Sequence, residues 1–186
     1  ALAGSLVGKK DCNSQVPHLA VFTLTPVQEL IKASRKMRDF WSGSWLLHYL
    51  AAKICWRLAE IYGADSIVYP CLYAQPLIDH WLLEKYQDFR PWIKKPLETS
   101  LLTAGFPNVL VLVLPKDSVE AAMQTARQTL IEEWRKLGDE TIDFLQTEKH
   151  WMPELTRDTK SWSGWLESQW QTYWSSLPLV AITQSE

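Results

Sequence analysis

The sequence has few of the residues that build several common kinds of site. Only 3 of its 186 residues are cysteine and 7 are glycine. Cys12, Cys55 and Cys71 are odd in number and lack metal-ligand spacing, which argues against a zinc site or a disulfide framework and favours a reducing compartment. Neither a glycine-rich phosphate loop nor a nucleophile elbow is present, so the sequence lacks the signatures of the common nucleotide and serine hydrolases.

Long apolar runs are also missing. No stretch approaches the ~18 apolar residues that a membrane helix needs, and Ala1–Val7 is too short for a signal peptide. The net charge of -2 says little about partners. The four histidines share no short spacing, and a lone histidine is usually a satisfied structural or surface residue, so we predict no metal site. We expect a cytoplasmic protein without membrane contact.

Tryptophan, in contrast, is abundant, with eleven residues. Between Asp139 and Ser176 the tryptophans follow a helical spacing, and indoles bury a large area at small entropic cost. Few cations are interleaved with them, which favours packing against the core or another subunit over stacking of bases. We therefore predict a partner interface formed by Trp162, Trp165, Trp170 and Trp174.

The order of predicted elements indicates an α+β fold. The predicted strands are His18–Thr25, Ser66–Leu72, Asn108–Leu114 and Leu179–Ile182. The predicted helices run from Pro26, through Trp45–Tyr62, over Pro76–Tyr86, and from an Asp117/Glu120 capping box to a stop at Gly138. This order predicts a ferredoxin-like, palm or cyclase-like antiparallel sheet with helices on one face. We divide the chain into a flexible leader (1–17), a core (18–138) with an insertion at about 73–107, a tryptophan-rich helical excursion (139–177), and a final strand and tail (178–186).

The first predicted helix is the most informative segment for binding. A stripe faces the predicted core and consists of Val27, Leu30, Ile31, Met37, Trp41 and Trp45. Ser34 and Arg38 interrupt it. Arg38 extends to the rim of the core, closes a structural ion pair, or contacts a phosphate or RNA. Free N–H groups near Thr25 and Gln28 either receive a phosphate or form an ordinary cap. The predicted nucleotide or RNA contacts are Thr25, Gln28, Ser34, Arg35, Lys36 and Arg38.

Catalytic carboxylates are not recognisable. A nucleotidyl-transferring palm holds two divalent ions with acids at strand ends, and the first strand ends in Thr23, Leu24 and Thr25. The stretch 73–107 contains no Gly-Gly-Asp-Asp. Asp79 and His80 stand in the reverse order of the His-Asp pair of metal phosphohydrolases. We predict no catalytic residue and no metal ligand in this chain.

Four segments in order carry a family resemblance: TPVQELIKASRKMRDFWSGSWLLHYLAAK, YGADSIVYPCLYAQPLIDHWL, AGFPNVLVLVLP and WQTYWSSLPL. Over about Ala20 to Leu179 they resemble the large signature subunit of type III-B (Cmr) CRISPR-Cas effector complexes. The matching positions are Val27-Gln28, Ser34 to Lys36, Arg38-Asp39, Trp41 to Ser44, Gln75 to Leu77, Asp79, and Phe106 to Asn108. The resemblance implies the first of that subunit's two palm domains.

The resemblance also implies a function. In that family the large subunit, guided by CRISPR RNA, makes cyclic oligoadenylates from ATP when target RNA binds, with a Gly-Gly-Asp-Asp motif in the second palm. Zinc-binding and His-Asp nuclease segments of the family are not found here. We therefore expect a non-catalytic palm with no cofactor of its own, whose parent uses ATP and Mg²⁺. Its expected partners are the second palm, neighbouring effector subunits, and guide and target RNA. The alternative is a free-standing RNA-binding or subunit-interaction module.

Overall fold

The computed structural model describes residues 16–32, 34–150 and 160–179, and their sheet has four strands. The strands are β1 (Pro17–Thr25), β2 (Ile67–Tyr69), β3 (Val109–Pro115) and β4 (Gln171–Pro178). They lie in the order β2-β3-β1-β4, and every neighbouring pair is antiparallel. The predicted four-stranded antiparallel sheet is therefore confirmed.

Two long helices dominate the rest of the fold. They are α2 (Met37–Tyr62) and α5 (Lys116–Lys149), which pack against each other and against the sheet. The shorter helices are α1 (Gln28–Lys32), α3 (Pro76–Lys85), α4 (Glu98–Leu101) and α6 (Lys160–Ser168). Gly63 ends α2 with a φ of 90°, as the sequence predicted. Helices α3 and α4 fall between β2 and β3, within the predicted insertion.

The core lies on one face of the sheet because strand side chains alternate between faces. Fully buried strand residues are Ala20, Phe22, Leu24, Leu110, Leu112 and Leu114. They belong to the same buried cluster as Leu50, Ile54 and Leu58 of α2 and Ala122, Met123, Ala126 and Leu130 of α5. Burying a large apolar side chain contributes ~1.5–3 kcal/mol. The other sheet face is more open, and Tyr173 and Leu177 are exposed there.

The predicted continuous stripe on the first helix is wrong. Helix α1 ends at Lys32 and α2 begins at Met37, so the residues after the break do not continue the phase of those before it. Val27 and Ile31 do pack against the core. Met37 is 81% exposed and Trp41 is 45% exposed, so this end of α2 projects away from the core.

The predicted helix stop at Gly138 is also wrong. Helix α5 continues through Gly138 to Lys149, and it starts at Lys116, so Asp117 lies in the first turn rather than at the cap. A Cβ at Gly138 would lie 2.9 Å from both methyl carbons of Leu166 and 3.3 Å from Cζ2 of Trp162. The glycine thus permits close approach of α6.

The last strand differs from its predicted position. Helix α6 ends at Ser168, and β4 occupies Gln171–Pro178, where the sequence predicted the end of a tryptophan-rich helix. Residues 180–182 of the predicted strand lie outside the described residues. This segment forms a strand because it pairs with β1. The pairing supplies hydrogen-bond partners for the backbone groups along that edge of β1.

Candidate functional site

A polar cavity of about 610 Å³ opens where β1 runs into α1. We call it the junction pocket, and its lining consists of Thr25, Pro26, Val27, Gln28, Glu29, Asn108, Gln169 and Gln171. The volume falls within the range of small-molecule sites, ~300–1,000 Å³. Two residues predicted from the sequence, Thr25 and Gln28, line it.

The sheet brings the three walls of the junction pocket together. Because β3 and β4 run antiparallel to β1, their first residues lie beside the last residues of β1. The side-chain amide of Asn108 donates to Thr23 Oγ1 at 3.5 Å and to the Leu24 carbonyl at 3.4 Å. The Thr25 hydroxyl donates to the Gln171 carbonyl at 3.5 Å. These contacts fix one wall in place.

The chemistry of the junction pocket is that of neutral amides. Gln28, Asn108, Gln169 and Gln171 supply donors and acceptors, Glu29 is the one acid, and the lining contains no lysine or arginine. Such a lining suits the edge of a base or a sugar hydroxyl better than a phosphate. Helix α1 has only five residues, too few for a strong dipole.

The other predicted contacts lie outside the lining of the junction pocket. Ser34 is half-buried, whereas Arg35, Lys36 and Arg38 are exposed around the start of α2. None of these three cations forms an ion pair within the described residues. Arg38 therefore closes no structural ion pair within the described residues, its side chain reaches solvent as one of the alternatives predicted, and this basic segment is open to solvent.

The four tryptophans divide into two groups. Trp162 donates its indole N–H to Asp139 Oδ1 at 3.1 Å, and Trp170 packs edge-to-face on Trp134 with ring centroids 5.4 Å apart. Both therefore hold the C-terminal part of the chain to α5. Trp165 and Trp174 are about half exposed, so an interface with a partner stays a prediction for these two.

A second cavity was missed by the sequence reasoning, although Asp79 was among the matching positions. It has a volume of about 500 Å³, and its walls include Trp56, Tyr73, Asp79, Trp92 and Lys94. The aromatic residues come from three distant segments, so no periodicity connects them. The available signal was the position of Tyr73 and Trp92 near prolines in connecting segments, since binding residues are often carried by loops.

Neither a metal site nor a membrane helix appears among the described residues. No group of three or more histidine, cysteine, aspartate or glutamate side chains there is arranged to hold an ion. Within the same ranges no helix is both long and apolar enough to cross a bilayer. In the junction pocket Glu29 is the one carboxylate, so its lining does not supply the set of acidic oxygens that usually holds Mg²⁺.

Comparison with known proteins identifies the family. Residues 19–139 match the family described as CRISPR-associated protein Cmr2, N-terminal, which is more than half of the chain. A curated relative, the CRISPR system Cmr subunit Cmr2 of Pyrococcus furiosus, is 23% identical over 128 residues. That alignment covers 69% of this chain and 14% of the relative, so the chain spans only a small part of the relative's length. The chain belongs to the family of the N-terminal region of Cmr2, the large subunit of the type III-B Cmr complex.

Proposed function

We propose that this chain is the first, non-catalytic palm domain of a type III-B effector large subunit and supports RNA-guided antiviral defence. The family match over residues 19–139 carries this proposal. The strand order β2-β3-β1-β4, with two long helices packed on the sheet, supports a ferredoxin-like palm because it is the order expected of that fold.

The nucleotidyl-transfer chemistry belongs to the parent protein. Two-metal catalysis needs acids that clamp both ions, and the junction pocket offers only Glu29. A second palm would hold ATP and Mg²⁺, with which the parent makes cyclic oligoadenylates. The residues of this chain would bind and orient the nucleoside part of ATP at the face between the two palms.

Gln28 is the best-placed side chain for that role. Asn108 already donates to Thr23 and Leu24, and Gln169 donates to the Trp165 carbonyl at 3.3 Å. Gln28 is exposed and has no side-chain hydrogen bond within the described residues, so its amide is free to pair with a base or a ribose hydroxyl.

The expected partners are the second palm, the neighbouring effector subunits, and the guide and target RNA within the complex. Trp165, Trp174 and the outer edge of β4 supply an uncharged surface for protein contact. The alternative function, a module that binds RNA or another subunit, is supported by Arg35, Lys36 and Arg38, which are exposed and form no ion pair within the described residues.

The test uses the full-length subunit in an assembled complex with guide RNA, target RNA and ATP. We expect Gln28→Ala to raise the KM for ATP in cyclic oligoadenylate synthesis by about fivefold, because one hydrogen bond of ~1 kcal/mol is lost. The matched control is Gln124→Ala on the exposed face of α5, where Gln124 donates to Glu120.

An unchanged KM in Gln28→Ala contradicts a nucleotide contact at the junction pocket. If the triple variant Arg35→Ala, Lys36→Ala, Arg38→Ala then weakens RNA binding, and the loss depends steeply on salt, the RNA-binding alternative replaces the proposal. Since Arg38 is exposed, we expect this variant to keep the melting temperature of the parent chain.

A further inference from the structure

The second cavity, here called the aromatic pocket, lies between α2, α3 and three connecting segments. Its lining residues are Trp56, Ala59, Ala64, Leu72, Tyr73, Ala74, Ile78, Asp79, Leu82, Trp92, Ile93 and Lys94. It shares none of them with the junction pocket. At about 500 Å³ it is large enough for a nucleotide-sized ligand.

Two large aromatic side chains of the aromatic pocket are in water. Tyr73 is 88% exposed and Trp92 is 78% exposed. Few aromatic side chains of a folded protein are exposed to this extent. The ring of Trp92 packs edge-to-face on Phe89, with centroids 6.5 Å apart. Trp56 packs the same way on Trp81 at 5.9 Å. Each indole thus has a neighbouring aromatic ring at its edge and presents aromatic surface suited to a planar ligand.

Two charged groups accompany the aromatic walls. Asp79 lies in the first turn of α3, half-buried, with no hydrogen bond or ion pair to its carboxylate within the described residues. Burial raises the pKa of this carboxyl group above its ordinary value. A desolvated acceptor without a donor is unfavourable, and a ligand that donates to it removes that cost. Lys94 is exposed and supplies a positive charge at the same pocket.

We propose that the aromatic pocket binds a guanine base, with Asp79 as its acceptor and Lys94 close to its phosphate. An ionised carboxylate has only acceptors. Guanine presents two neighbouring donors, N1–H and the 2-amino group, which match the two carboxylate oxygens. Adenine and cytosine place an acceptor nitrogen beside their single amino donor, and uracil has one N–H between two carbonyls. The carboxylate therefore selects guanine.

The guanine belongs either to a free nucleotide or to single-stranded RNA. Both sources present the same guanine edge and a phosphate, so either one would make the same contacts with the aromatic pocket. This inference does not rest on the proposed palm function, because the aromatic pocket and the junction pocket have different residues and different polarity.

The first experiment is isothermal titration of the full-length protein with GMP, IMP and AMP. Because IMP lacks the 2-amino group, we expect it to bind about 10- to 100-fold more weakly than GMP. Asp79→Asn should lower GMP affinity by a similar factor and create binding of xanthosine monophosphate, whose N1–H and C2 carbonyl match an amide. Asp88→Asn, at an exposed position outside the aromatic pocket, is the matched control.

The contribution of stacking on Trp92 and the source of the guanine are tested separately. Trp92→Ala should weaken GMP binding about tenfold, whereas Trp41→Ala, at a half-exposed tryptophan outside the pocket, should not. Tighter binding of the trinucleotide UGU than of GMP identifies RNA as the source, and the reverse identifies a free nucleotide. Equal affinity for GMP and AMP, wild-type affinity in Asp79→Asn, or no binding of any of these probes overturns the proposal.

Discussion

At the scale of single residues, His48 links the core to the junction pocket. It lies buried on α2, and its Nδ1 accepts the backbone N–H of Gly105 at 2.9 Å and that of Phe106 at 2.8 Å. Because both bonds end on Nδ1, that nitrogen carries no proton and the neutral ring has its hydrogen on Nε2. The histidine thereby holds the segment leading to Asn108, which lines the junction pocket.

The stability of the fold should therefore decrease on acidification. Burial lowers the pKa of His48 below its ordinary value of 6.5, so the unfolded chain binds a proton that the folded chain does not. The stabilisation is complete above about pH 6.5 and is lost as pH falls from there through the folded-state pKa. Urea unfolding midpoints at pH 7.5 and pH 5.5 measure the effect.

His48→Gln should reduce this pH dependence, because a glutamine oxygen can accept one of the two N–H groups and does not titrate. An identical pH dependence in the wild-type and His48→Gln proteins would show that His48 is not its source.

The sequence was sufficient for residues whose role follows from their chemistry and spacing alone. A histidine outside any metal spacing was predicted to be a satisfied structural or surface residue, and the two N–H groups at His48 agree with that. The placement of Arg38 on a buried stripe was wrong, because the exposure of this side chain depends on the break between α1 and α2. No local sequence feature fixed the phase of the helix after that break.

At the scale of elements, the contact between α5 and α6 depends on one glycine. Leu166 of α6 is buried, and its methyl carbons occupy the space that a Cβ at Gly138 would enter. Trp162 adds a hydrogen bond to Asp139 in the same contact. The sequence suggested a helix end at Gly138, and only the partner helix shows that the glycine serves packing instead.

Alanine at Gly138 and alanine at Gly164 should have opposite effects. Gly138→Ala gains ~1 kcal/mol of helix propensity but overpacks a buried contact, which costs ~1–3 kcal/mol, so we expect net destabilisation. Gly164→Ala in α6 meets no atom within 4 Å and should stabilise the fold by up to ~1 kcal/mol. Thermal and urea unfolding of both variants measure the difference. Stabilisation by Gly138→Ala would contradict the packing argument.

At the scale of the whole molecule, the sheet is completed by residues beyond the family match. The match ends at residue 139, whereas β4 pairs with β1 from Thr25↔Gln171 to His18↔Pro178. Leu166 and Trp170 are also buried, so the segment after α5 contributes to the interior as well as to the sheet. The fold therefore requires residues that the family match does not include.

A chain that ends at Lys149 should fail to fold stably. It loses the whole β1–β4 ladder and two buried apolar side chains, each worth ~2–5 kcal/mol, against a typical total stability of ~5–15 kcal/mol. A chain that ends at Leu179 keeps both and is the control. Near-ultraviolet circular dichroism and amide chemical-shift dispersion report the outcome. A cooperatively folded protein ending at Lys149 would contradict this prediction.

The sequence by itself determined the elements whose local signals are strong. The continuous apolar run of β3, the alternating β1 and the glycine that ends α2 identify their conformations without help from the rest of the chain. Tertiary structure decided the rest. The residues of β4 form a strand because β1 offers an unpaired edge, Gly138 remains helical because Leu166 packs on it, and Tyr73, Asp79 and Trp92 share one cavity because distant segments meet. Each of these outcomes depends on a partner that is distant in sequence, and a local pattern carries no information about it.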